Sequence, residues 1–563
     1  MPRFLMILLV VSGLCLPETA LSGKSANPIP DGLERSIDSL FARYDDMSGP
    51  GAALALVYRG NMVFSKGYGS ANLEYDIPIT PSTIFHIASV SKQFTVFAVL
   101  LLDEAGKLSL DDDIRKHIPE VPDFGHTITL RHLAEHTSGL RDQWNLLALA
   151  GWRLDDVITL DHVLKLVKNQ RELNFAPGEE YLYSNTGFTL LAEVVARVSG
   201  QTFAEFTHDH IFEPLQMSST LFYDDHQRIV PGRAYSYHSD SEGYRKSVLS
   251  YANAGATSLF TTVEDLSRWV FNFLDPVVGS RQIIDRMNTP GVLNNGREFG
   301  GALGQFTGPY RGLMQIQHGG ADAGYRTYLG RFPDQEFAVI VFSNYAGFNA
   351  RGMASRLTDL FLDGRFEEAA EDAVSDVEPI KLSSGELQKF AGHYWNDKDM
   401  VSVSFSVEDD TLRYSRGRSS HALLPVGSHE FRLAAGNGGS SLVFETGQEN
   451  PRMILSTGGL NESSVFERYE PANYSTAELL EYLGAYISDE LGTSYTLELN
   501  DSILVAVHQR HNDIVLEAVK FDVFTGNQWF FRNARFVRDD SGAIRGFRVS
   551  SGRVRDLWFE KRP

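Results

Sequence analysis

Ser89-Val90-Ser91-Lys92 sets a hydroxyl and an amine three positions apart at the start of the apolar run Phe94–Leu102. Three residues is nearly one helical turn, so the two side chains share a helix face. At a helix N-terminus the hydroxyl lies in a positive field. A lysine buried beside it loses its proton more easily and becomes a base for a serine nucleophile. No other Ser-x-x-Lys occurs in the chain. Alone, the motif reads equally well as a capping serine with a solvated lysine.

Tyr-x-Asn occurs three times, at Tyr183-Ser184-Asn185, Tyr251-Ala252-Asn253 and Tyr394-Trp395-Asn396. Tyr183 follows the turn signal Pro177-Gly178-Glu179 and precedes the helical run Leu190–Val198. A side chain on a loop entering a rigid element can be held for chemistry. Tyr183 is therefore the candidate proton relay, and Asn185 the candidate partner of substrate and lysine. Tyr394 reads most simply as packing. His318-Gly319-Gly320 follows the strand-like run Leu313–Gln317 and leads into Ala321. The glycines leave room for a substrate backbone along the strand edge. The N–H groups of Ser89 and Ala321 are candidates for an oxyanion hole. Alone, His-Gly-Gly is a simple turn. His318 also predicts a site whose charge changes near neutral pH.

The elements that must position these residues form an α+β pattern. Alternating apolar residues at 51–57 and 62–64, separated by Arg59-Gly60-Asn61, predict a β-hairpin. A helical stretch covers Ser89 to about Ala105, and more helices lie between 130 and 215. Strand-like runs return at Leu313–Gln317, Tyr325–Arg331 and Phe337–Ser343. One domain over 30–365, with its sheet assembled from both ends of the sequence, accounts for this order. An acidic linker is expected at 366–382. Beyond it, Glu386–Tyr394 matches Glu478–Tyr486 at an offset of 92, and Phe466-Glu467-Arg468 matches Phe559-Glu560-Lys561 at 93. Two duplicated units follow, 383–470 and 471–563, each expected to be a small antiparallel β-barrel whose closure removes exposed edges.

Taken in order, Ser-x-x-Lys, Tyr-x-Asn and His-Gly-Gly resemble the serine β-lactamase and penicillin-binding-protein superfamily, in the branch around class C β-lactamases and D-aminopeptidases. Ile128–Leu140 and Gly255–Leu266 are similar to further segments of that branch. The resemblance covers about residues 35–365. It implies a β-lactamase/transpeptidase-like fold with Ser89 as the acyl-accepting nucleophile, Lys92 as its base, and Tyr183 and Asn185 in the second motif. His318 replaces the lysine of the usual Lys-Thr-Gly, which sets the chain apart from class C β-lactamases. D-aminopeptidases of this branch carry two C-terminal barrels, and a loop of the last one reaches the cleft. That likeness makes His508–Asp513 the candidate loop, with Asp513 pairing with a substrate ammonium; an exposed hairpin tip is the plainer reading.

Composition narrows the rest. With 51 Lys+Arg against 72 Asp+Glu, the net charge of −21 disfavours nucleic acid and anionic membranes as partners. One cysteine, Cys15, leaves no disulfide framework, and no metal or cofactor is expected. Arg3 and the thirteen-residue, mostly apolar run Phe4–Leu16 predict a signal peptide over 1–22, too short for a membrane span, and hence a secreted or periplasmic protein. The expected function is a serine hydrolase acting through an acyl-enzyme on small peptide-like substrates: D-amino-acid amides or peptides, or β-lactams. D-aminopeptidase-like activity leads, with D-Ala-D-Ala carboxypeptidase, β-lactamase or esterase as alternatives. A binding or sensing module for penicillins or cell-wall fragments, with little turnover, is the alternative of another class. The sequence does not fix the oligomeric state.

Overall fold

A computed structural model describes residues 32–366, 379–417, 419–433, 440–447, 451–457 and 462–562. The expected signal peptide and residues 367–378 of the expected linker lie outside the described residues.

The first domain is built on an eight-stranded antiparallel sheet. Its strands are β1 (Ala52–Tyr58), β2 (Asn61–Tyr68), β3 (Pro290–Val292), β4 (Glu298–Ala302), β5 (Gln305–Tyr310), β6 (Leu313–Asp322), β7 (Tyr325–Phe332) and β8 (Phe337–Ser343). Their spatial order is β3-β4-β5-β6-β7-β8-β1-β2. The pairing of β1 with β8, Ala52 opposite Ser343, joins the two ends of the domain. All seven residues of β1 are buried, because both faces of the sheet are covered. Ala53, Ala55 and Val57 face one apolar cluster, and Leu54, Leu56 and Tyr58 face another. This two-residue alternation is the pleat itself. Helices α1 (Leu33–Phe41) and α5 (Ala350–Phe361) cover the second face. The first face packs on α2 (Lys92–Glu104), which is apolar nearly all round and so sits inside the domain.

Helix α3 (Gln143–Leu149) is entirely buried, yet its apolar residues join the core of the second barrel rather than that of its own domain. Helix α4 (Asn185–Ser199) packs with α2 in the main core and ends at Gly200, whose φ of +76° is the usual helix stop. The sequence pattern locates this helix from Leu190; it begins five residues earlier, with Asn185 in its first turn.

Two closed eight-stranded barrels follow, with strands running from Gly392 to Tyr469 and from Gly484 to Arg562. The duplication reaches their fine structure. Ser383 with Glu386, and Ser475 with Glu478, cap equivalent short helices. The Tyr394 hydroxyl donates to the Phe390 carbonyl as Tyr486 does to Tyr482. The second barrel closes with the hairpin β9 (Ile544–Ser551) and β10 (Val554–Arg562). Among the described residues, no helix is long and apolar enough to cross a membrane.

Candidate active site

Ser89 lies on a short 3-10 turn, Ala88–Ser91, that feeds into α2. Ala88 adopts a left-handed φ of +48°, a costly conformation for a residue with a Cβ. The turn is held from outside. The Ile87 N–H donates to the Leu259 carbonyl, the Ile87 carbonyl accepts from the Thr327 hydroxyl, and Leu259 N–H donates to the Ser91 hydroxyl. The turn that carries Ser89 is thereby fixed to β7 and to the 257–261 segment.

Lys92 is fully buried beneath Ser89, and burial pushes its amine down to about 7. Its Nζ lies 2.8 Å from Asn185 Oδ1, 2.7 Å from the Ala256 carbonyl and 3.3 Å from Ser89 Oγ. The orientation of the Asn185 amide is forced. Its Nδ2 donates at 2.8 Å to Asp142 Oδ2, the same oxygen that accepts the Asn185 backbone N–H, so Oδ1 faces Lys92. A neutral lysine has two N–H bonds, and both are taken by those two oxygens. Its lone pair is left for the hydroxyl of Ser89.

Tyr183 and Asn185 are placed by residues outside their own motif. His136, at a left-handed φ of +60°, accepts the Ser184 N–H on Nδ1 at 3.0 Å. Its carbonyl accepts the Leu182 N–H, and its ring stacks on Tyr183 at 4.2 Å. Asp142 accepts the Asn185 N–H at 2.7 Å and also caps α3 through Trp144 N–H. The buried Tyr183 hydroxyl makes no hydrogen bond of normal geometry, although Ser89 is near enough to oppose the upward pull of burial on its pKa. The other two Tyr-x-Asn segments are structural: Tyr251 stacks on Trp144, and Tyr394 fills the first barrel.

The third motif departs from the sequence expectation in two ways. His318, Gly319, Gly320 and Ala321 do not follow a strand; they continue β6 to Asp322. Strand β5 pairs with β6 only as far as Gln317, so residues 318–322 are a local free edge facing the cleft. Nor does His318 titrate near neutrality. Burial lowers its imidazole to about 3, with Lys92 adding to the shift. Its Nδ1–H donates to the Gly319 carbonyl at 2.6 Å, leaving a buried Nε2 acceptor without a partner.

The two glycines do different work. A Cβ on Gly320 would come within 2.2 Å of Thr327 Oγ1 and 2.3 Å of the Ile87 carbonyl, pushing on the turn that carries Ser89. On Gly319 it would meet only ordinary contacts. Gly320→Ala is therefore expected to lower stability by roughly 1–3 kcal/mol and to reduce activity. Gly319→Ala is expected to leave the denaturation midpoint nearly unchanged. Denaturant titration of both variants checks this.

Ser89, Tyr183, Asn185, His318, Gly319, Gly320 and Ala321 line one cleft of about 580 Å³. Asp513 does not join them. Its loop, 508–513, docks instead on residues 148–156: the His511 ring bonds the Ala148 carbonyl at 2.7 Å and Arg510 pairs with Asp156 at 2.6 Å. The second barrel does reach the cleft, through a different turn that brings Arg553 to its wall. Asp322 also lines it, its Oδ2 accepting from the Thr257 hydroxyl and burial raising it to about 6. The sequence reading missed Asp142, Asp322 and Arg553. An Asp just before an apolar helix is a recognisable cap signal for the first; nothing local marks the other two.

Comparison with known proteins places this arrangement. The family model described as Beta-lactamase matches residues 37–361. The chain is 29% identical over 316 residues to a D-aminopeptidase of Gluconobacter oxydans, covering 56% of this chain and 58% of that one. It is 29% identical over 303 residues to penicillin-binding protein 4* of Bacillus subtilis, covering 51% and 66%. The aligned region thus spans about three fifths of these relatives' lengths. Among solved structures, an octameric penicillin-binding protein homologue from Pyrococcus abyssi is similar at 25% identity and a TM-score of 0.53, over 77% of this chain and 99% of that one. With a family match over more than half its length and the sheet, helices and motif order in place, this chain belongs to the beta-lactamase family.

Proposed function

We propose that the protein is a serine hydrolase that works through an acyl-enzyme on small peptide-like amides or esters. The observation that carries this reading is the placing of Lys92 Nζ 3.3 Å from Ser89 Oγ with Asn185 Oδ1 and the Ala256 carbonyl as its other partners, so that in the neutral amine both N–H bonds are taken and the lone pair is left for Ser89. Lys92 takes the Ser89 proton as Oγ attacks the substrate carbonyl. The Ser89 and Ala321 N–H groups receive the developing oxyanion. Tyr183, adjacent to Ser89 and Lys92, passes a proton to the leaving group. Water then releases the acyl group, and Ser89 regains its proton. A short apolar leader at the N-terminus supports export.

The D-aminopeptidase-like form of this reading draws support from the relatives so named and from the paired barrels. Asp513, the sequence-level candidate for pairing with a substrate ammonium, is not among the residues lining the cleft and adds no support to that form.

The mechanism carries a pH dependence with a definite sign. Protonated Lys92 cannot accept a proton, so acylation should rise as pH climbs through about 7 and level off above. His318, held neutral above about 3, contributes no limb in that range. Stopped-flow acylation by an activated ester between pH 5 and 9 measures the profile, and intact mass spectrometry identifies the adduct. An acylation rate flat across pH 6–8, or an adduct that persists in Ser89→Ala, rejects the assignment.

A further inference from the structure

The second barrel delivers one cation to the tyrosine of the second motif. Arg553 sits at the tip of the β9–β10 hairpin, where the first domain holds its backbone. Its carbonyl accepts from the Asn174 amide at 3.0 Å and the Asp142 N–H at 3.3 Å. Two residues on, the Arg555 N–H donates to Asn174 Oδ1 at 2.8 Å. The Arg553 guanidinium lies over the Tyr183 ring, 4.6 Å from its centre, and lines the cleft that contains Ser89.

The other groups at that ring carry no fixed positive charge. His136 stacks on it at 4.2 Å and His318 lies 6.3 Å away, but burial keeps both imidazoles neutral. Burial also keeps Tyr181 a neutral phenol. Lys92 Nζ is 4.8 Å from the ring centre, and its charge comes and goes with the proton it carries. Asp142 opposes negative charge on Tyr183, and its Oδ2 is itself 4.0 Å from the guanidinium. The reaction gives a constant cation something to do. When the C–N bond of an amide breaks, the leaving nitrogen needs a proton. Tyr183 gives it from its hydroxyl and regains one from the Lys92 ammonium, which took it from Ser89. Between the two transfers the phenol oxygen carries negative charge. Burial works against that charge, and a cation over the ring favours it.

We propose that Arg553 acts through Tyr183: the second barrel supplies the fixed positive charge that lets this buried tyrosine hand its proton to a leaving amine, so that the docked hairpin makes the site competent on amides as well as on activated esters. This rests on the hydrolase reading but concerns only the proton delivered to the leaving group. It can therefore be isolated by changing the leaving group alone.

The probes are D-alanine p-nitroanilide and D-alanine p-nitrophenyl ester, which share an acyl group. p-Nitroaniline must be protonated as it leaves, whereas p-nitrophenolate leaves without a proton. The comparison is made at about pH 8, above the pH at which Lys92 loses its proton. There Arg553→Gln in the full chain is expected to lower kcat/KM for the anilide roughly 10- to 100-fold, and for the ester by no more than about threefold. Arg553→Lys keeps the charge and should recover part of the anilide rate. Tyr183→Phe should show the same split between probes, and adding Arg553→Gln to it should cost the anilide no more than about a further twofold. An anilide rate within about twofold of wild type in Arg553→Gln, equal loss on both probes, no recovery by lysine, independent losses in the double variant, or no anilide hydrolysis by the wild-type chain overturns the proposal. Equal loss is what a displaced hairpin would give. The hydrolase reading fails separately. A wild-type chain that forms no adduct on Ser89 with the ester loses that reading, whereas one that is acylated there but treats both probes alike without Arg553 keeps it and loses only this proposal.

Discussion

Ser89→Ala is expected to cut hydrolysis of any accepted substrate by roughly 10⁴-fold or more, with the folded chain intact. The hydroxyl makes no bond on which the turn depends. That turn is held through Ile87, Ser91 and Thr327, and the alanine Cβ occupies the space of the serine's. Denaturation of the variant should therefore overlay the wild type while acylation disappears. Lys92→Met should lose activity as severely, because it removes the only amine facing Ser89 among the described residues. It should not lose stability to match, since a buried amine at a lowered pKa is itself a cost to the folded state near neutral pH. Initial rates on an activated ester, measured beside unfolding curves, decide both points. Residual activity within tenfold of wild type in Ser89→Ala would move the nucleophile elsewhere.

The second large effect comes from the second barrel. A chain ended after Glu470 is expected to be poorly soluble and inactive, rather than a trimmed enzyme with broader specificity. Trp144, Leu146, Leu147 and Leu149 of α3 pack into the barrel's core, and Tyr495 of the barrel donates to the Leu149 carbonyl. Removing the barrel strips that cover from an apolar helix capped by Asp142, the residue that orients Asn185. A milder variant isolates one interaction in the full chain. Arg141 and Glu490 form a 2.8 Å ion pair across the boundary, with side chains 1% and 7% exposed. Glu490→Ala leaves the buried guanidinium with only the half-exposed Glu172 carboxylate at 3.5 Å and the Arg555 carbonyl, which should cost up to roughly 3–5 kcal/mol. Glu490→Gln should cost less. Denaturant titration with activity read in parallel checks the sequence of effects; a soluble, active truncated chain would show that the barrel is dispensable.

Much of this was legible in residue patterns. The Ser-x-x-Lys spacing, the apolar run behind it and the second-motif loop all act locally, so periodicity and turn chemistry report them. The barrel duplication was visible because Glu386–Tyr394 recurs at an offset of 92 and Phe466–Arg468 at 93. The reading failed where long-range contact decides the outcome. His318 is a pH-responsive residue by type and a neutral one by burial, and burial is a property of the assembled core. The His-Gly-Gly segment looked like the end of a strand because glycines weaken strand signals, yet pairing with β7 carries β6 through them. Asp513 sits on a polar loop of the expected kind, but two equally polar turns of that barrel compete for the cleft. Only packing against Asn145, Asp142 and Asn174 selects the one bearing Arg553.

The hairpin that carries Arg553 also sets the timing of assembly. Its partners Asp142, Asn145 and Asn174 lie some 380 to 410 positions earlier in the chain, and such distant contacts are the slow ones to form. At synthesis rates of roughly 5–20 residues per second, the stretch between Phe361 and Arg553 takes on the order of ten to forty seconds to follow the first domain. Through that interval Ser89 and Lys92 are already made, while α3 lacks its cover and the cleft its barrel-borne cation. The cleft is therefore expected to be completed late in folding, when that hairpin docks on the first domain.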